Sequence, residues 1–203
     1  MNQEVAVRQF TAIKTYADKT SMRLAAEGWD AEWKILVSIM MSAQTRDETT
    51  IEVAEALFKK YPTPKKLGSA PISEIENMIK RVNYFRTKAK NVQACASHVA
   101  ANGMGYTVES LIEIPGVGRK TANVFLNEIG KKDAIGVDTH VYRISHKLGW
   151  ARGNTPDKVE QELLELFPKS YWNKINSTLV RFGKGYGTSR TKEDEILKEI
   201  KKL

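Results

Sequence analysis

Cysteine is almost missing from this 203-residue chain, with Cys95 the single thiol. One thiol closes no intrachain disulfide and builds no cysteine-rich metal site, which fits a reducing compartment. Long apolar runs are missing too. The longest, about residues 35–41, falls well short of the roughly 20 residues that a membrane-spanning helix needs. The opening residues, Met1-Asn2-Gln3-Glu4-Val5, lack the layout of a secretory signal. The expectation is therefore a soluble intracellular protein, in the cytoplasm or nucleoid, with no membrane partner. Internal repeats and low-complexity linkers are absent, and no cluster of carboxylates offers the ligands of a two-metal nuclease. Sustained β alternation is also missing, apart from residues 134–137, which are short enough to be a loop.

What remains is helical period. Apolar residues recur at helical spacing over residues 5–26, 33–41, 50–61, 72–82, 88–101, 108–112, 118–129, 139–148, 157–167, 171–182 and 192–201. The Pro62-Thr63-Pro64 stretch reads as a break after the third of these. The fold class is all-α. A central lobe of about residues 25–135 and a second lobe from residues 1–24 plus 136–203 are expected to flank a cleft. With 41% hydrophobic and 28% charged residues the chain is an ordinary globular one. Its charge is uneven: the net excess is +8, and residues 115–152 hold seven bases against three acids, half of that excess. Such a concentration reads as an electrostatic footprint for a polyanion.

The chemistry-bearing residues lie in the same stretch. Ile114-Pro115-Gly116-Val117-Gly118-Arg119-Lys120-Thr121-Ala122 places two glycines around one apolar residue, after a short helix and before another. Such a turn exposes backbone N–H groups at a helix N-terminus, where a phosphate binds. It is a helix-hairpin-helix, and Pro115, Gly116, Val117, Gly118 and Arg119 are its candidate DNA contacts. Lys120 stands in the first turn of the second helix, beside Arg119 and at the positive end of the helix dipole. An amine placed there is a candidate nucleophile for a sugar carbon. Eighteen residues later Asp138 follows the apolar run 134–137. It fits the N-cap of the next helix, and equally a carboxylate that steadies positive charge on the sugar.

Three segments together resemble a known family. The hairpin with Val137-Asp138-Thr139-His140, the helix end Leu36-Val37-Ser38-Ile39-Met40-Met41-Ser42-Ala43-Gln44, and Thr87-Lys88-Ala89-Lys90-Asn91-Val92 are similar to helix-hairpin-helix/Gly-Pro-Asp DNA glycosylases, in particular endonuclease III. The resemblance implies a bifunctional DNA glycosylase and AP lyase of base-excision repair. Lys120 would be its nucleophile and Asp138 the carboxylate partner. It implies that Gln44 enters the gap left by a flipped nucleotide, and that Tyr84 or Phe85 wedges the opposite strand. Asp47 and His140 fall where the family has an acidic residue and a histidine near the pocket.

One departure stands out. The family usually ends with four cysteines that hold a [4Fe–4S] cluster, whereas residues 182–190 here contain none. No such cluster is expected as cofactor and no metal ligand is assigned. A cation on the hairpin carbonyls is compatible with the motif. Lys184, Arg190 and Lys192 are expected to take over DNA contacts that the cluster loop otherwise positions. The substrate expected is duplex DNA carrying a damaged, oxidised pyrimidine or an abasic site, bound by a monomer. Uracil or thymine opposite guanine, or an oxidised purine, would suit the same chemistry. A non-catalytic helix-hairpin-helix docking module is the reading from another class.

Overall fold

Caps and breakers decide where the helices start and stop. The computed structural model describes residues 1–131, 134–187 and 190–203, the side chain of Arg190 excepted. Helix α1 (Gln3–Asp18) starts where Asn2 accepts the Glu4 N–H on its side-chain oxygen. The periodicity carries this helix to residue 26, yet it ends at Asp18. There the Thr20 hydroxyl donates to the Ala17 carbonyl, and Ser21 takes a left-handed conformation that halts the ladder.

Next come α2 (Glu32–Ser42), α3 (Asp47–Lys60) and a helix the sequence did not reveal, α4 (Pro64–Gly68). The prolines read as a break also begin that helix. Thr63 caps the Lys66 N–H, and Pro64 sits in the first turn, where its missing donor costs nothing. Helix α5 (Ile72–Met78) is four residues shorter than its apolar stripe, because Ile79 has left helical geometry. α6 (Phe85–Asn102), α7 (Val108–Ile112) and α8 (Arg119–Glu128) follow. Residues 134–137 are irregular, and no strand occurs among the described residues. α9 (Thr139–Leu148), α10 (Pro156–Leu166), α11 (Lys169–Tyr186) and α12 (Arg190–Lys201) complete the chain.

The helices form two units, one of Arg23–Lys131 and one of Met1–Met22 with Lys132–Leu203. In the first, the hairpin unit, α2 is the central element. It packs against α3, α6 and α8, and it buries Trp33, Leu36, Val37, Ile39, Met40 and Met41. That explains its apolar character on nearly every side. In the second, the terminal unit, α11 packs on α1 and α9 around Phe10, Phe167 and Phe182. The Trp150 indole N–H is buried there and donates to Gln9 Oε1 at 2.7 Å, so this polar pair meets its own hydrogen-bonding need. No helix among the described residues is long and apolar enough to cross a membrane.

Candidate active site

The hairpin is fixed from below and open above. Thr107 and Ser110 form a reciprocal capping box that starts α7. Ile114 and Val117 are buried in the hairpin unit's core, and the Val117 N–H donates to the Ile114 carbonyl at 3.0 Å, closing the turn. Gly116 is required twice over. Its φ is +82°, and a Cβ there would lie 2.6 Å from Asn91 Cβ and Cγ on α6. Gly118 differs: it is the N-cap of α8, no side chain caps that helix, and nothing lies within 4 Å of where its Cβ would be. The absent side chain therefore leaves the first amides of α8 uncovered, as an approaching anion requires. Pro115, Gly116, Gly118, Arg119 and Lys120 are exposed. Val117 is the exception among the proposed DNA contacts. Its side chain is an anchor in the core and its N–H is already used, so it holds the turn for its neighbours.

The second group surrounds the C-terminus of α2. Gln44 is exposed with φ +56°, and Tyr84, at the N-cap of α6, has φ +57° and is 68% exposed. Left-handed backbone costs a residue with a side chain about 1–2 kcal/mol, so something nearby must maintain both. Asn83 ties the two together. Its side-chain amide donates to the Gln44 carbonyl, and its N–H donates to Thr45 Oγ1 at 3.2 Å. Beneath them Lys88 is buried, with Nζ donating to the carbonyls of Met41 at 2.7 Å and Ala43 at 2.5 Å. Burial lowers this ammonium to about 8. Phe85, the other candidate wedge, is half-buried against the core with the Arg86 guanidinium 5.4 Å from its ring centre. Asp47 is buried in the first turn of α3.

Asp138, His140 and Lys184 lie in the terminal unit. Asp138 is the N-cap of α9, its Oδ1 accepting the N–H groups of His140 and Val141 at 2.9 Å each. His140 packs on Gly183 of α11, where any side chain would strike its ring. Burial holds the imidazole below its ordinary range. The positive charges of Arg143 and Lys184 add to this, while Asp138 and Glu193 oppose it. Glu193 is fully buried at the start of α12 and pairs with Arg143 and, at 2.7 Å, with Lys147. Lys147 also reaches Asp194 at 2.6 Å. Lys192 Nζ lies 5.5 Å from the Tyr186 ring centre. The side chain of Arg190, the remaining candidate contact, lies outside the described residues.

The sequence assigns no role to Asn83, Arg143 and Glu193, nor to Lys88 and Asn91 beyond their place in the segment 87–92 that carries the resemblance. A signal existed for two of them. Lys88 shares a helical stripe with Val92, Cys95 and Val99, and Glu193 shares one with Leu197 and Ile200, all of them buried. A charge on an apolar stripe is the mark of a buried charge that needs partners.

An iron–sulfur cluster does not fit these donors. The sole thiol, Cys95, is buried in the core of the hairpin unit, and burial pushes it up to about 12. Four thiolates are needed.

Comparison with known proteins accords with this anatomy. Residues 37–169 match the HhH-GPD superfamily of base excision DNA repair proteins. The chain is 38% identical to an endonuclease III of Thermotoga maritima over 155 residues, 75% of this chain and 73% of that protein. It is 35% identical to an endonuclease III of Bacillus subtilis over 156 residues, covering 75% and 71% of the two. Its fold resembles that in a trapped endonuclease III–DNA covalent intermediate with a TM-score of 0.81, at 28% identity over 94% of this chain and 90% of that one. A thermostable thymine-DNA glycosylase shares the fold at 17% identity and a TM-score of 0.73, over 93% and 91% of the two chains. The chain belongs to the HhH-GPD superfamily of base excision DNA repair proteins. Within it, the relatives from Thermotoga maritima and Bacillus subtilis just described are endonucleases III.

Proposed function

We propose that this protein is a bifunctional DNA glycosylase and AP lyase that removes oxidised pyrimidines from duplex DNA, acting as a monomer. The observation that carries the reading is the exposed Lys120, one residue into a helix whose N-terminal amides face open space above Gly118. A phosphate gripped by those amides would hold the DNA backbone beside the amine. Lys120 Nζ attacks C1′ as the glycosidic bond breaks, and the base leaves with the bonding pair and takes up a proton. Opening of the sugar ring gives the Schiff base. Loss of a C2′ proton then expels the 3′ phosphate, and water releases the lysine.

Asp138 is assigned the carboxylate role. One of its oxygens accepts both cap bonds. The other has no hydrogen bond among the described residues, so capping and charge stabilisation are compatible. Exposure favours Tyr84 over Phe85 as the wedge, with Gln44 filling the vacated position. We further read the enzyme as working without an iron–sulfur cluster, since its one cysteine is buried. The Glu193 pairs then do the work of docking the C-terminal helix.

Borohydride trapping tests the chemistry, on duplexes bearing thymine glycol, uracil opposite guanine, an oxidised purine or an abasic site. The expected result is a covalent adduct on thymine glycol and abasic duplexes that is lost in Lys120→Ala. Trapping only on a mismatch or an oxidised purine would reassign the base. Intact duplex binding with no trapping on any substrate would leave a docking module and overturn the role of Lys120.

A further inference from the structure

Two exposed residues of the hairpin unit adopt left-handed backbone, Gln44 after α2 and Tyr84 before α6, and one buried residue touches the backbone of both segments. The Lys88 N–H donates to the Tyr84 carbonyl at 3.0 Å. Its side chain crosses to the other segment, where Nζ donates to the Met41 and Ala43 carbonyls and lies 3.3 Å from Thr45 Oγ1. Those carbonyls belong to the end of α2, which the helix itself leaves unpaired and where its dipole favours a cation. Thr45 Oγ1 also accepts the Asn83 N–H, and the Asn83 side chain returns to the Gln44 carbonyl. The two segments are thus laced by one buried ammonium from below and one exposed amide from above. Neither left-handed residue is glycine, so relaxation toward ordinary backbone is favoured unless the lacing resists it.

We propose that Lys88 is a positioning residue that presets the spacing of Gln44 and Tyr84, so that both side chains enter the duplex as a ready-made pair. This rests on the reading that Gln44 and Tyr84 are the inserting residues. Groups fixed before binding lose no freedom on insertion, and small misplacements at such sites are expensive. Lys88 itself touches no DNA in this scheme. It acts through the α2 terminus and the first turn of α6.

The test uses a duplex with a tetrahydrofuran abasic analogue opposite 2-aminopurine, alongside an undamaged duplex of the same sequence. Affinity for each and the 2-aminopurine fluorescence rise are measured for wild type, Lys88→Met and Asn83→Ala. Lys88→Met keeps the unbranched stem of the side chain, one atom shorter, and removes its donors. It is expected to hold undamaged-duplex affinity within about twofold while losing roughly tenfold or more in lesion preference, with a smaller fluorescence rise. Asn83→Ala cuts the exposed tie without disturbing the core, and should shift both readouts in the same direction by less. Wild-type preference and fluorescence in a folded Lys88→Met would overturn the proposal. Should that variant not fold, an Asn83→Ala protein indistinguishable from wild type would overturn it equally. If wild type itself gives neither fluorescence rise nor lesion preference, the insertion reading fails first and takes the positioning role with it.

Discussion

Lys88 in the hairpin unit and Glu193 in the terminal unit are each a buried charge on the apolar stripe of a helix, and the two are satisfied in opposite ways. Lys88 in the hairpin unit is held by two backbone carbonyls and lies near a hydroxyl. Glu193 in the terminal unit is held by two cations, Arg143 and Lys147. Dipoles offset only part of the cost of taking a charge from water, whereas opposite charges offset more. Hence burial leaves the lysine with its affinity for protons reduced. Burial pushes the carboxyl of Glu193 upward, but the hydrogen bonds and charges of Arg143 and Lys147 outweigh it and lower the group overall. The lesson is one of purpose. The ion pairs join Leu197 and Ile200 in docking a helix, while the lysine, held by backbone carbonyls, sits under the residues proposed to meet DNA.

The largest effect should come from breaking the better-compensated charge. Glu193→Gln leaves the guanidinium and ammonium around a neutral amide. Removing one partner of a buried pair costs about 3–5 kcal/mol. Arg143 and Lys147 are, however, 37% and 32% exposed, and water screens what remains. A loss of about 2 kcal/mol is expected after that discount, read as a lower urea midpoint at unchanged slope. A midpoint equal to wild type would show that Leu197 and Ile200 dock α12 without the ions.

These two charges also mark the limit of what periodicity can reveal. The all-helical class, the bounds of α7 and α9, and the hairpin's glycines were readable, because each is written in consecutive residues. Helix α4 was not, since a proline at the first helical position looks the same as a proline that ends the previous helix. Val117 read as a contact because it sits inside the motif. Its burial depends on what lies beneath the turn, which no local pattern records. The Asn83–Gln44 tie spans 39 positions and the Glu193–Arg143 tie spans 50. Such pairs are created by the fold, and only the odd charge on each stripe hints at them beforehand.

Both groups hold protons less tightly in the folded chain, so both contributions to stability rise with pH, and the two separate windows sharpen the comparison. Between about 8 and 10.5 the unfolded chain keeps the Lys88 proton that the folded chain has released. The unfolded state therefore binds more protons, and this residue's contribution to stability rises with pH across that window. Lys88→Met should lack the rise, so its stability relative to wild type should decline from pH 8 to pH 10. For Glu193 the window is acidic. Its folded value lies below 4.5, so its contribution is present above 4.5 and fades as pH falls through the lowered value. Urea midpoints across both windows, for wild type and the two variants, check this. A flat difference between wild type and Lys88→Met above pH 8 would mean that the lysine is better solvated than its burial implies.

The smallest change in stability should accompany a large change in behaviour. Tyr84 is 68% exposed and left-handed, so its side chain contributes little packing while its backbone carries strain. Glycine at this position removes about 1–2 kcal/mol of strain. It also adds back roughly 0.5–1 kcal/mol of unfolded-state entropy. Tyr84→Gly should therefore be stabilised by a few tenths of a kcal/mol up to about 1 kcal/mol. If Tyr84 wedges the duplex, the same variant should lose preference for a tetrahydrofuran-containing duplex over an undamaged one. Gained stability with lost discrimination would identify the strain as something retained for DNA rather than for the fold. A variant that gains stability and discriminates as well as wild type would return the wedge to Phe85, and would leave the left-handed turn at Tyr84 without a functional reason.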